Sequence, residues 1–177
     1  MFLVPGIIIA ILTFPGVIIH EMAHQLFCRL TGTAVLEVCY FQFSNPAGYV
    51  VHEKPKTASS NILIGVGPFL LNTILGAAIA MPAALQVHQF ESGGILEMFL
   101  MWLGVSIAMH SFPSFTDVKN IWSAVWDKET SMKVKVLATP LVVLLLGCAL
   151  GSFVWLDLAY GVAVVMLIPN LAIAFLA

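Results

Sequence analysis

Apolar residues run along this chain in long blocks rather than in short alternating patches. Five stretches approach the roughly 20 apolar residues that a spanning helix needs: about 5–30, 59–83, 94–112, 136–154 and 158–177. Trp155, Asp157 and Tyr160 separate the last two, because aromatic rings and a carboxylate favour the headgroup level. One long bent helix over 136–177 is the alternative at that point. The segment between the first two blocks has another texture. Residues 33–43 and 49–53 are rich in β-branched and aromatic side chains and flank Asn45-Pro46-Ala47-Gly48, which is turn chemistry, so the spacing predicts a β-hairpin at the membrane surface. Between the third and fourth blocks, Val118, Ile121, Trp122, Val125 and Trp126 recur at i, i+3, i+4, i+7 and i+8, the stripe of an amphipathic helix. It suits a helix lying on the bilayer and equally a plain packing face. Gly147-x-x-x-Gly151 in the fourth block offers a site for close helix approach.

Composition agrees with this pattern. Of 177 residues 60% are hydrophobic, 9% are charged, and the mean hydropathy is +1.02. Soluble domains carry about a quarter charged residues. A formal net charge of −2 and the lack of any dense basic cluster exclude nucleic acid as a partner. The expected fold class is an all-α polytopic membrane protein with about five transmembrane helices and a small β-hairpin. It forms one integral membrane domain over 1–177, with a C-terminal helical hairpin at about 136–177. The uncharged first 19 residues lack a basic start and a small-x-small cleavage site, which argues against a signal peptide. Cys28, Cys39 and Cys148 are odd in number and share no metal-ligand spacing, so no disulfide framework is expected.

All seven basic residues fall in two loops. Arg29, Lys54 and Lys56 follow the first block, and Lys119, Lys128, Lys133 and Lys135 follow the third. The positive-inside rule puts both loops and the C-terminus in the cytoplasm, and the N-terminus and residues 84–93 outside.

The chemistry centres on His20-Glu21-Met22-Ala23-His24, at the cytoplasmic end of the first block. Imidazoles four residues apart share one helix face and can hold one zinc ion, with Glu21 beside it as a base. The competing reading has these side chains snorkelling to the headgroups. Ionisable groups inside an apolar helix are costly, however, and mark functional sites. A hydrolytic zinc takes three protein ligands. Asp117 leads by position, at the end of the third block on the same side as the histidines, although it could instead be the N-cap of the helix that follows. His110 is the runner-up; His52 and His88 are placed at the surface.

With these residues in hand, the sequence resembles the site-2 protease family of intramembrane zinc metalloproteases. Three elements match in chain order over about 5–126: His-Glu-x-x-His, Gly67-Pro-x-x-x-Asn72, and the proline-containing segment ending in Asp117. The chain departs from the family in four places, one of them the short spacing from Pro113 to Asp117. His110 stands where asparagine is usual, Val118 follows the aspartate where glycine is usual, and Gly67 to Asn72 is one residue longer than the common spacing. The resemblance implies a three-helix catalytic core in a prokaryotic cell membrane, with one Zn2+ per chain held by His20, His24 and Asp117. It also implies Glu21 as the general base and Asn72 as a substrate-binding or transition-state group. The implied substrate is a membrane-embedded protein or peptide, and a homo-oligomer or a regulatory membrane partner fits the same picture. Two other classes compete: a catalytically silent scaffold or chaperone that keeps the fold, and a metal transporter using His20, His24, Asp117 and His110 or Glu97. Intact Glu21 argues against the scaffold, since a structural zinc needs no base. The near absence of ionisable groups from the last two blocks argues against transport.

Overall fold

A computed structural model describes residues 6–89 and 93–176. The first apolar block is not one helix. Helix α1 (Gly6–Leu12) and helix α2 (Phe14–Leu30) meet at 91° around Thr13. The local chemistry accounts for the break. Thr13 directs both its amide and its hydroxyl to the carbonyl of Ile9, at 2.9 and 2.7 Å, which closes α1. Pro15, in the first turn of α2, has no N–H to carry the ladder across.

The hairpin follows. Strands β1 (Val35–Cys39) and β2 (Tyr49–His52) pair antiparallel, Cys39 opposite Tyr49 and Val35 opposite His52, with an irregularity between Val35 and Glu37. Both strands are shorter than the sequence pattern suggested. Helices α3 (Ala58–Gln89), α4 (Ile95–Met109), α5 (Phe115–Val125), α6 (Met132–Gly151) and α7 (Leu156–Leu176) complete the chain, with a short 3-10 turn over Ser152–Val154 before α7. Two helical stretches, Ala58–Ala84 and Met132–Val154, are long and apolar enough to cross a membrane, and a third exists if α1 and α2 count as one broken span. Helix α4 and the stretch Leu156–Ala172 are apolar but shorter. The break before α7 falls at Trp155, whose φ of 67° turns the chain out of the helix.

Helix α4 is clasped between α3 and α7, and small residues make that possible. A Cβ on Gly76 would lie 2.8 Å from the carbonyl oxygen of Gly104, and one on Gly104 would lie 2.8 Å from that of Gly76. Across the other face, a Cβ on Gly161 would come 2.8 Å from the amide of Met109. Lipid provides no hydrophobic drive for helices to associate, so backbone proximity of this kind supplies the packing. The expected approach at Gly147 is not used: a Cβ there would find nothing within 4 Å, while one at Gly151 would meet Leu156 at the start of α7. Helices α6 and α7 also do not lie along one another. Helix α6 packs on α5, and α7 on α3 and α4.

Helix α5 splits the predicted stripe. Val118, Ile121 and Val125 are buried against Ala138, Val142 and Leu145 of α6. Trp122 and Trp126 remain about half exposed and pack on each other, ring centroids 5.7 Å apart. Lys54, after the hairpin, pairs with Asp127, after α5, at 3.0 Å. The segments after the hairpin and after α5 are therefore on one side of the molecule; they hold Lys54, Lys56 and Lys128, while Arg29 is in the last turn of α2, Lys119 in α5, and Lys133 and Lys135 in the first turn of α6.

Candidate metal centre

The HExxH segment lies in the middle of α2, and the helical turn between its ends brings the two imidazoles together, Nε2 to Nε2 at 3.1 Å. Each ring is fixed from behind. His20 Nδ1 donates to the carbonyl of His110 at 2.7 Å, and His24 Nδ1 donates to the carbonyl of Ile64 in α3 at 3.1 Å. A carbonyl can only accept, so both Nδ1 atoms carry the proton and both Nε2 atoms present lone pairs. Asp117 Oδ1 arrives from α5, 3.5 Å from His24 Nε2. The ligand atoms of the three residues lie within 4.8 Å of one another. Three electron-pair donors turned toward one point, with both histidine tautomers set by their partners, are what a cation requires. The spacing also suits zinc, since zinc–nitrogen bonds of about 2.0–2.1 Å at tetrahedral angles leave two ligand nitrogens roughly 3.3 Å apart.

Asp117 takes part in the cap of α5 and also lies beside the two histidines, but it is not the N-cap that the sequence suggested. Helix α5 starts earlier, with Ser114 as its N-cap, so Asp117 is the third residue of a capping box rather than the cap itself. Its Oδ2 accepts from the Ser114 amide at 2.8 Å and from the Ser114 hydroxyl at 2.7 Å, while Ser114 Oγ accepts from the Asp117 amide at 3.2 Å. Oδ1 is thereby left for the histidines. Burial alone would raise the Asp117 carboxyl, but His24 and the Ser114 hydrogen bond outweigh it and hold the group well below the usual carboxylate range.

Glu21 is buried and, among the described residues, makes no hydrogen bond. Its side chain faces a cavity of about 490 Å³, which it lines together with His20, Pro46, Gly48, Pro113 and Phe115. Gly48, from the hairpin turn, presses close: a Cβ there would lie 2.8 Å from Glu21 Cγ and 3.0 Å from the carbonyl of Tyr40. The glycine at the end of that turn is the sequence signal for this contact, and in the sequence it is legible only as turn chemistry.

The remaining candidates fall elsewhere. Asn72 is fully buried in α3 and does not line the cavity. Its Nδ2 donates to the carbonyl of His110 at 3.1 Å and to that of Gly16 at 3.4 Å, while its Oδ1 has no partner. It therefore bridges three helices and shares with His20 the acceptor that orients the ring. His110 places its own imidazole outside the cluster, Nε2 lying 2.8 Å from the Thr13 hydroxyl. His52 is on the hairpin, its Nδ1 donating to the Glu53 carbonyl at 2.7 Å. Glu97 caps α4, accepting from the Gly94 amide at 2.8 Å. The side chain of His88 lies outside the described residues.

No protein-family model, no curated protein and no solved structure matches this chain.

Proposed function

We propose that this chain is an intramembrane zinc endopeptidase, a compact and divergent member of the site-2 protease family, acting on membrane-embedded peptide. One observation carries the reading. Two histidines of α2 and an aspartate 93 residues further along converge on a common point beside an uncommitted glutamate that opens onto a cavity. A structural metal site is normally closed by four protein ligands, whereas three ligands next to a cavity leave a position open, as hydrolytic sites do.

His20, His24 and Asp117 would hold the ion. Zinc bound there supplies a Lewis acid that polarises the scissile carbonyl and makes water a better nucleophile at neutral pH. Glu21, with no hydrogen-bond partner to release, takes the proton from the attacking water and delivers it to the leaving amine nitrogen. The apolar walls limit bulk water around the reacting atoms. The hairpin, whose turn touches Glu21, offers unpaired strand edges to an extended peptide, which frees the substrate from having to stay helical.

The Lys54–Asp127 contact supports a single basic side, which by the positive-inside rule is cytoplasmic and receives the metal centre near it. In this reading the bent α1–α2 pair, α3, α4, α6 and α7 are the five membrane-embedded units, and α5 lies at the surface with its tryptophan pair at headgroup level. The decisive experiment is Glu21→Gln in the detergent-purified chain: zinc content is kept and peptide cleavage is lost. Cleavage that persists in this variant removes Glu21 from the chemistry, and a wild type that holds no zinc or cleaves no peptide favours the silent scaffold instead.

A further inference from the structure

The cavity beside Glu21 is walled largely by apolar side chains away from its titratable groups, His20, Glu21 and His110. Past His20 and Glu21 its wall is made by Val17 of α2, Phe112 and Phe115 around the start of α5, and Ala149, Ser152 and Phe153 from the end of α6 and its 3-10 turn. Phe115 and Phe153 lean together with ring centroids 5.7 Å apart, although one opens the amphipathic helix α5 and the other follows α6. Ala149 is 5% exposed and belongs also to the packed α5–α6 core, so the floor of the cavity is part of a rigid contact. Apart from His20, Glu21 and His110, no titratable side chain among the described residues lines the space, and none comes from the α6 wall. A charged group seated against the Phe115, Ala149 and Phe153 wall would lose water without finding a partner there, whereas an apolar one would gain by burial.

We infer that Ala149, Phe153 and Phe115 form a side-chain subsite that selects a bulky apolar residue of the substrate next to the scissile bond, and that α6 is the specificity wall of the site. This rests on the protease reading above. Helix α6 lies outside the three-helix core that the metal ligands and Asn72 define, so nothing in the chemistry of the ligands requires it. Its proximity to Glu21 comes only through the cavity they share. The position of Ala149 sets the depth: a small side chain there leaves room that a larger one would fill.

The test uses the full chain in detergent. Binding is measured with the Glu21→Gln variant, which holds peptide without turnover, and cleavage with chains carrying Glu21. The probes are apolar peptides that differ at one position, bearing Phe, Leu, Ala or Lys. The expected order of affinity and of kcat/KM is Phe and Leu above Ala, with Lys weakest. Ala149→Leu should lower the preference for Phe over Ala about tenfold, the scale of a few methylenes in an apolar pocket. Phe153→Ala, at a half-exposed side chain that leaves the core intact, should shift preference toward still larger residues such as Trp. Identical preferences in the parent and both variants would overturn the subsite while leaving a cleaving protease in place. Selective binding that responds to Ala149→Leu, without cleavage by the parent, would keep the subsite and sink the protease.

Discussion

Asp117 and Ser114 are locked in a reciprocal cap, and that lock leaves one carboxylate oxygen of Asp117 facing His24 at 3.5 Å. The start of α5 and the third corner of the proposed metal site are thus one structure. Ser114→Ala separates the two roles. It removes the cap at a cost of about 1 kcal/mol, so thermal unfolding should fall by a few degrees and zinc should be held more weakly, not lost. Asp117→Ala should lose the metal, to well below one zinc per chain by elemental analysis. Equal zinc in both variants would show that Asp117 only caps.

Asn72 touches no cavity, yet its amide shares the carbonyl that fixes His20. Partners one step behind a ligand are typically worth 10–100-fold in metal affinity. Asn72→Ala should therefore weaken zinc by about that factor in a chelator competition, with kcat/KM restored by excess zinc. Restored metal with catalysis still down a hundredfold would instead place Asn72 in the reaction itself.

Gly48 presses on Glu21 from the hairpin, and Ala there must displace either the glutamate or the turn. Gly48→Ala should keep zinc and folding and reduce turnover at least tenfold, read as a fall in kcat larger than any rise in KM. Unchanged kcat would mean that the turn yields without moving the base.

Gly104 and Gly147 make a matched pair for the packing. Leu at Gly104 would drive into the α3 backbone, while Leu at Gly147 would meet nothing. Gly104→Leu should prevent recovery of a monodisperse protein, and Gly147→Leu should leave its thermal midpoint within a degree or two. Equal loss in both would contradict the clasped position of α4.

Lys54 and Asp127 also give a topological readout. Cysteines placed singly at the two positions should react with a membrane-impermeant maleimide from the same face of oriented vesicles, and labelling from opposite faces would break the proposed arrangement. The Lys54 hydrogen bond holds the Asp127 carboxyl below the usual carboxylate range, so whatever the pair contributes is present above the ordinary carboxylate pKa and lost as the pH falls through the depressed one.

Much of this was legible in the sequence. The HExxH spacing, the hairpin and the amphipathic α5 follow from local periodicity, and local periodicity is what a single chain displays. The apolar block at 5–30 misled because a hydropathy window averages over Thr13-Phe14-Pro15, where two residues are enough to turn the chain through a right angle. The glycine motif misled because Gly-x-x-x-Gly was given more notice than Gly76-x-x-x-Ala80 and Gly104-x-x-x-Ala108, which carry the same small-residue spacing and sit where backbones meet. Two features of the site had no signal at all: the carbonyls of His110 and Ile64 that set the histidine tautomers.

The His110 carbonyl in particular is a fixture that every amino acid possesses. Replacing the side chain at 110 with asparagine, alanine or leucine would leave that oxygen where it is, provided the chain keeps its turn at the end of α4. The imidazole at 110 serves a separate contact, with the Thr13 hydroxyl at the α1–α2 bend, so the orientation of His20 depends on the main chain at this position and not on its side chain. What is selected there is a fold in the main chain, and the residues that enforce it, Asn72 below and Ser106 with Gly16 beside it, are the ones whose loss would be felt.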